Sequence, residues 1–191
     1  KDIDPTRLWY GLQLQLMLYL QAAAQGMKGN AAGAFYFRVS DPLVEAEDVK
    51  SAAEAAIAKT LQLKGVVLSD VKVVSAMDAE GSAIGPVFTK SGGVSARANA
   101  YSREEMQSLL DHTRQTAADL ADGIREGDIS VSPAEMKGWN ACQWCEYSAV
   151  CGFDASMPHC TKRVLPSLTR QELLEKMANH SSESSPDAKN E

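Results

Sequence analysis

The chain has 191 residues, of which 45% are hydrophobic and 23% charged, and its formal net charge at pH 7 is -6. This length suffices for one domain with a substantial core, and no apolar run approaches the roughly 20 residues that span a bilayer. The acidic balance disfavours a nucleic-acid-binding module that acts by bulk electrostatics. Any DNA contact must then be local, and we expect a cytoplasmic protein without a membrane partner.

The first predicted element is one long helix that ends at Gly26. Asp4 can cap this helix, and Pro5 suits its first turn. The apolar positions at helical spacing are Leu8, Trp9, Leu12, Leu16, Tyr19, Leu20 and Ala23. Apolar residues also fill the other faces, so we expect a helix buried on most sides. A chain that opens on its most buried helix is interpreted as a piece of a larger domain.

A β-α-β-like unit is predicted next. Residues 34–39 alternate between two faces, as a strand does, and residues 46–63 show helical spacing before a glycine. The apolar run 66–68 predicts a returning strand. Residues 69–77 are ambiguous, because Asp70 could cap a helix while the valines favour a strand.

The clearest helix signal follows a loose hairpin, which is predicted over the Gly- and Ser-rich residues 78–100. Ser102 and Glu105 form a capping box, and Gly127 is the stop signal. The helix between them is amphipathic and should pack on one side only. Its apolar stripe consists of Met106, Leu109, Leu110, Thr113, Ala117, Leu120, Ala121 and Ile124.

A second capping box, Thr169 with Glu172, predicts a short helix over residues 169–179. Residues 180–191 are polar and Ser-rich with no apolar anchor, and we expect them to be disordered. No linker divides the rest of the chain into two independent cores.

Three cysteines carry the strongest chemical signal. Cys142, Cys145 and Cys151 have two and then five residues between them, a spacing that lets thiolates converge on one metal centre. Spacing does not separate iron from zinc, and a group of partly buried free thiols is the simpler alternative. A fourth ligand from Cys160 or the adjacent His159 would complete a structural zinc site within the chain.

A polar pair inside the first helix is the second candidate. Gln15 and Tyr19 are four residues apart and share a face of an otherwise apolar helix. Buried polar groups must be hydrogen-bonded, so the two side chains satisfy each other or face a polar site. The residues alone favour the structural role. Gln13 points elsewhere and is interpreted as structural.

No other pattern amounts to an active site. Neither a Ser-His-Asp set nor an HExxH motif is visible, and the glycines match no phosphate loop. His112, on the flank of the amphipathic helix, is expected to be solvated. Asp2 and Asp4 are too close to a helix cap to assert a metal site. By these residues alone the chain has no self-sufficient active site.

One family carries the same motifs in the same order. They are GLQLQLMLYL, AGAFYFRVSDP, KGVVLSD with VSAMD, EGDISVSP and CQWCEYSAVCGFD. Over about residues 1–168 the chain resembles the C-terminal nuclease domain of the AddB family. The resemblance implies an α/β PD-(D/E)XK nuclease fold, a mixed sheet flanked by helices. It also implies magnesium-dependent hydrolysis of DNA phosphodiesters by a component of an ATP-dependent helicase-nuclease, which pairs with an AddA-type partner and processes double-strand breaks.

The resemblance assigns a role to the polar pair. Gln15 and Tyr19 match the family's QxxxY motif, which helps to position the active-site lysine or the DNA, and this reverses the structural interpretation. The catalytic carboxylates that bind magnesium, and the catalytic lysine, belong to motifs upstream, because Lys1 aligns after them. The chain alone is therefore expected to be inactive.

The resemblance also assigns a role to the cysteines. Cys142, Cys145 and Cys151 match the last three ligands of a 4Fe-4S cluster, within a ligating segment at 139–160, and the first ligand is a cysteine upstream of this chain. Such a cluster would join the two ends of the nuclease domain as a structural staple. The alternative is a zinc-stapled interaction domain unrelated to DNA cleavage, with Cys160 or His159 as fourth ligand.

Overall fold

A computed structural model of the chain describes residues 2–39, 50–84, 88–89, 92–95 and 99–183, with the side chains of 50–53 and 180–183 left out. The helices are α1 (Pro5–Trp9), α2 (Gln15–Gly26), α3 (Lys50–Leu61), α4 (Val71–Met77), α5 (Arg103–Glu126), α6 (Ser148–Cys151) and α7 (Arg170–Glu183). The strands are β1 (Gly33–Tyr36), β2 (Lys64–Leu68), β3 (Ala100–Tyr101), β4 (Ala134–Met136), β5 (Trp139–Asn140) and β6 (Arg163–Val164). The predicted α/β class with a mixed sheet flanked by helices is confirmed.

Two small mixed sheets organise the strands. In the first, of order β1-β2-β3, β2 is antiparallel to β1 and parallel to β3. In the second, of order β5-β4-β6, β4 is antiparallel to β5 and parallel to β6. The predicted β-α-β-like unit is wrong in strand direction, because β1 and β2 are antiparallel neighbours. An excursion that returns to the same end of the sheet, such as the one containing α3, joins antiparallel strands.

The main core lies where α1, α2, α5 and α7 pack with the first sheet. Its buried members are Ile3, Leu8, Met17, Leu20, Val66, Leu68, Tyr101, Met106, Leu109, Leu110, Leu173 and Met177. Within the described ranges, no helix is long and apolar enough to cross a membrane.

The prediction of one long N-terminal helix is wrong. The chain breaks between α1 and α2, and Gly11 adopts the left-handed conformation with φ of +75°. A Cβ at this position would lie 3.0 Å from the Cγ2 atom of Thr116 on α5. The turn therefore depends on a close approach to a distant helix as well as on a conformation that glycine adopts readily.

The ambiguous segment after β2 is helical. The Asp70 carboxylate caps α4 by accepting hydrogen bonds from the backbone N–H groups of Lys72 and Val73. Beyond it, an antiparallel bridge between Phe88 and Val94 fits the predicted hairpin. Parts of that hairpin, and residues 46–49 of the predicted helix before β2, lie outside the described residues.

Both predicted capping boxes are confirmed. Ser102 and Glu105 exchange hydrogen bonds at the start of α5, and Thr169 and Glu172 do so at the start of α7. The hydrogen bonds from the Thr169 backbone N–H and hydroxyl lower the pKa of the Glu172 carboxyl. Helix α7 continues to Glu183, past the predicted end at 179, and residues 184–191 lie outside the described residues.

The pairing of β1 with β2 depends on Gly65, which lies opposite Phe35. A Cβ there would lie 2.7 Å from the Phe35 Cα and overlap the Ala34 carbonyl. We expect Gly65→Ala to lower the free energy of unfolding by about 1–3 kcal/mol, because neither backbone contact can yield easily. Gly123→Ala, on an open face of α5, is the control and should be neutral or stabilising. Urea unfolding of both variants measures the difference, and equal midpoints would contradict this expectation.

Candidate functional site

The polar pair of α2 lies on an exposed face. Met17 and Leu20 of α2 are buried in the core, whereas Gln15 and Tyr19 are exposed, Tyr19 to 63%. The expectation that this helix is buried on most sides is therefore wrong. Helix α2 packs against α5 and β1, and these contacts cover only one of its faces.

The two side chains are bonded to each other. Gln15 Nε2 donates a hydrogen bond of 2.9 Å to the Tyr19 hydroxyl oxygen. Three other glutamines of the described ranges make the same i,i+4 bond, but to carboxylates of Asp111, Asp119 and Glu175. The neutral phenol is what distinguishes this pair. Because its oxygen accepts from Gln15, its own O–H can donate to an anionic group brought to this face.

Gln13 lies only two residues before Gln15 and has a different environment. It is 6% exposed, and its amide is held by the backbone of the residues before α1. This agrees with its interpretation as a structural residue that points away from the pair. The sequence offered no sign of what it contacts.

Helix α1 connects α2 to the C-terminal part of the chain. The Thr6 hydroxyl accepts a 2.8 Å hydrogen bond from the Leu168 backbone N–H, and the Arg7 guanidinium lies 5.7 Å from the ring centre of Trp139. His112 of α5 stacks on Trp9 with ring centres 4.6 Å apart. The prediction of a solvated His112 is wrong, because the flank of α5 that carries it faces α1.

Buried Tyr101 and half-buried Arg170 form a second contact that the sequence did not reveal. The Arg170 guanidinium lies 4.4 Å from the centre of the Tyr101 ring and 3.3 Å from the Glu105 carboxylate. Burial raises the pKa of the Tyr101 hydroxyl, and the Arg170 charge opposes that rise. This contact fastens α7 to the start of α5.

The three cysteines lie in a long excursion between β5 and β6. Cys142 and Cys145 are joined by a turn, in which the Cys145 N–H donates to the Cys142 carbonyl over 3.2 Å. Cys151 ends α6, where its N–H donates to the Tyr147 carbonyl over 2.9 Å. These three thiols and that of Cys160 are free, with Cys145 and Cys151 exposed.

Little apolar packing holds this excursion in place. No residue between positions 141 and 164 is buried, and the large side chains of Trp144, Tyr147 and Val150 are exposed. The excursion is anchored at its end by the 3.0 Å ion pair of Lys162 with Glu135 and by buried Leu165. A bound metal or contact with another part of the protein would add the constraint that apolar packing does not supply here.

The thiols suit a soft metal by chemistry, since zinc and iron-sulfur clusters both favour thiolate ligands. Within the described ranges, however, no group of three or more His, Cys, Asp or Glu side chains lies close enough together to hold a metal ion. The thiolates of Cys142, Cys145 and Cys151 would therefore have to converge on binding.

The acidic residues near the start are engaged in local hydrogen bonds. Asp2 Oδ1 accepts from the Ile3 N–H and from Asn99 Nδ2, and the Asp4 carboxylate caps α1. These two carboxylates do not fit a magnesium site, and they carry no step of a reaction through that ion.

Comparison with known proteins identifies the family. A sequence model of the PD-(D/E)XK nuclease superfamily matches residues 1–152. Proteins named as the B component of an ATP-dependent helicase/deoxyribonuclease are also similar. That of Alkaliphilus metalliredigens is 31% identical over 192 residues, which cover 95% of this chain and 17% of the relative.

Two further relatives of the same name have a similar identity to this chain over a similar share of its length. The protein of Clostridioides difficile is 32% identical over 93% of this chain and 17% of its own length. That of Bacillus cereus is 33% identical over 93% of this chain and 16% of its own length. The chain thus spans about a sixth of the curated relatives that it matches. The match over residues 1–152 and the mixed α/β architecture show that the chain belongs to the PD-(D/E)XK nuclease superfamily.

Proposed function

We propose that this chain is the C-terminal part of the nuclease domain of an AddB-type subunit, which hydrolyses DNA in a cytoplasmic, ATP-dependent helicase-nuclease. The subunit would pair with an AddA-type partner and process double-strand breaks for recombinational repair. The observation that supports this most directly is the Gln15–Tyr19 pair on the uncovered face of α2, within a chain of the nuclease superfamily.

The face of α2 suits the wall of an active site. It combines the aromatic ring of Tyr19 with its phenol O–H donor and with the Gln15 amide oxygen as acceptor. In this proposal the strands that carry the catalytic carboxylates and lysine pack against this face from upstream. Gln15 and Tyr19 then orient that lysine or a phosphate oxygen of the DNA, a supporting role rather than proton transfer.

The cysteines have a structural role in this proposal. Cys142, Cys145 and Cys151 would supply three ligands of a 4Fe-4S cluster, and an upstream cysteine the fourth. The exposed, sparsely packed excursion that carries them supports this, because a cluster would provide the constraint that apolar packing does not. One bound zinc and no iron would instead support the zinc-stapled interaction domain, with Cys160 or His159 as the fourth ligand.

We expect the chain by itself not to cut DNA, because it contains neither the carboxylates that would bind magnesium nor the catalytic lysine. The test incubates the purified chain with linear duplex DNA and magnesium and measures acid-soluble nucleotides. The expected release equals that of a blank without protein.

The matched control is the full-length subunit with its partner under the same conditions, which should degrade the DNA. Robust cleavage by the isolated chain that EDTA abolishes would show that the active site has been placed wrongly.

A further inference from the structure

The buried amide of Gln13 holds the backbone of residues 2–4. Its Nε2 donates a 2.6 Å hydrogen bond to the Asp2 carbonyl oxygen, and its Oε1 accepts a 2.9 Å bond from the Asp4 N–H. Gln13 is 6% exposed, so water contributes little to either bond. The N–H donor and the oxygen acceptor of the amide are therefore both hydrogen-bonded to the backbone of residues 2–4.

Gln13 bonds to this piece of main chain in the way that a neighbouring strand would. Asp4 has φ of -107° and ψ of 118°, within the β region. In an extended chain the C=O of one residue and the N–H two residues later point to the same side, which is the pattern that a paired strand satisfies. Ile3 lies between them, with its side chain in the core. Hydrogen bonds to the Gln13 amide and packing of the Ile3 side chain in the core together fix the position of this backbone.

Gln13 connects the backbone of residues 2–4 to the helix that carries Gln15 and Tyr19. The turn at Gly11 directs the chain back, so that Gln13 reaches residues 2–4 while Gln15, two residues later, begins α2. A displacement of the Asp2–Asp4 backbone would change its distance from the first turn of α2. The two hydrogen bonds of Gln13 are the direct link between that backbone and the start of α2.

We propose that Gln13 is a positioning residue for DNA cleavage. It fixes the position of the Asp2–Asp4 backbone relative to the side chains of Gln15 and Tyr19. The inference rests on the proposed function, in which that backbone continues from the catalytic strand. Gln13 touches neither DNA nor metal in this proposal. It acts through the main chain, and a misplacement of about 1 Å in such a site can slow a reaction about a hundredfold.

The test uses the full-length subunit with its partner and two substitutions. Gln13→Met keeps the volume and removes both hydrogen bonds. Gln13→Glu can restore both when its carboxyl is neutral, because the hydroxyl can donate to the Asp2 carbonyl while the other oxygen accepts from the Asp4 N–H. The charged side chains that line the same cleft are Asp2, Asp4 and Arg7. Burial and the two acids favour the neutral carboxyl, and Arg7 opposes it.

The control is Gln115→Met, which removes an exposed glutamine of α5 bonded to Asp119. We measure the single-turnover rate of cleavage of a linear duplex at about pH 6.5, and the Kd for DNA ends separately. Gln13→Met should lower the rate about tenfold or more and leave the Kd within about twofold. Gln13→Glu should recover to within about threefold of the wild type, and the control should match the wild type.

Three outcomes would overturn the inference. The first is a Gln13→Met rate within about twofold of the wild type. The second is a loss of rate that Gln13→Glu shares, and the third is a loss of rate that follows an equal loss of DNA binding. Hydrogen exchange of the peptide containing Asp4 should also accelerate in Gln13→Met. If the wild-type subunit itself fails to cleave, the proposed function is wrong, and the exchange rate still reports whether Gln13 holds this backbone.

Discussion

Tyr19→Phe in the full-length subunit is expected to lower the rate of DNA cleavage by about tenfold to a hundredfold, as loss of one oriented donor does in other active sites. The substitution removes only the hydroxyl, which accepts the hydrogen bond from Gln15 and offers its own proton to an anion. In the isolated chain, where Tyr19 is 63% exposed, the same substitution should change the free energy of unfolding by no more than about 0.5 kcal/mol. Single-turnover cleavage and thermal unfolding, measured in parallel, separate the two effects.

The matched control for this prediction is Tyr147→Phe. Tyr147 is 70% exposed and lies in the excursion of the cysteines, away from α2. It should cleave DNA at the wild-type rate. Equal rates for Tyr19→Phe and the wild type would assign the Gln15–Tyr19 bond to helix stability alone, like the glutamine–carboxylate bonds elsewhere in the chain.

On the proposed function, we expect Cys151→Ser to remove the 4Fe-4S cluster from the full-length subunit and to loosen residues 139–165 before the rest of the domain. The thiolate is lost as a ligand, and no residue between 141 and 164 is buried to hold the excursion by apolar packing. We expect iron and acid-labile sulfide to fall at least about tenfold, and hydrogen exchange to accelerate first over this range. Metal analysis and exchange mass spectrometry measure these changes.

Cys160→Ser distinguishes a cluster that has an upstream ligand from a zinc site that is closed within the chain. A cluster completed by an upstream cysteine does not use Cys160, so the iron content should stay at the wild-type level. Loss of one equivalent of zinc in Cys160→Ser, with no iron in either protein, would contradict the cluster and support the closed zinc site. In the isolated chain, full iron and sulfide that survive Cys160→Ser would show that no upstream ligand is needed.

Features that depend on neighbouring residues were predictable from the sequence. The capping boxes at Ser102 and Thr169 involve side chains three residues apart, and both are present in the structure. Asp70 likewise caps α4, although the valines that follow left a strand possible. In each case the hydrogen bonds that start the helix are local, so the sequence pattern contains the necessary information.

Features that depend on distant packing were not predictable. The break at Gly11 needs the close approach of Thr116, and His112 is stacked because α1 lies against α5. The periodicity of the first segment could not show that Gln13 is buried while Gln15 is exposed, because the break changes which side each residue faces. The site residues remain predictions from family resemblance, and only the structure shows the surroundings of their side chains.

Degradation of linear duplex DNA by the full-length protein, in complex with the helicase partner that we propose and supplied with ATP, tests the nuclease assignment most directly. Cleavage should occur with magnesium, stop with EDTA, and fall in the Tyr19→Phe protein while DNA-end binding is retained. A wild-type complex that unwinds DNA, binds magnesium and yet releases no nucleotides from its ends would contradict the proposed function.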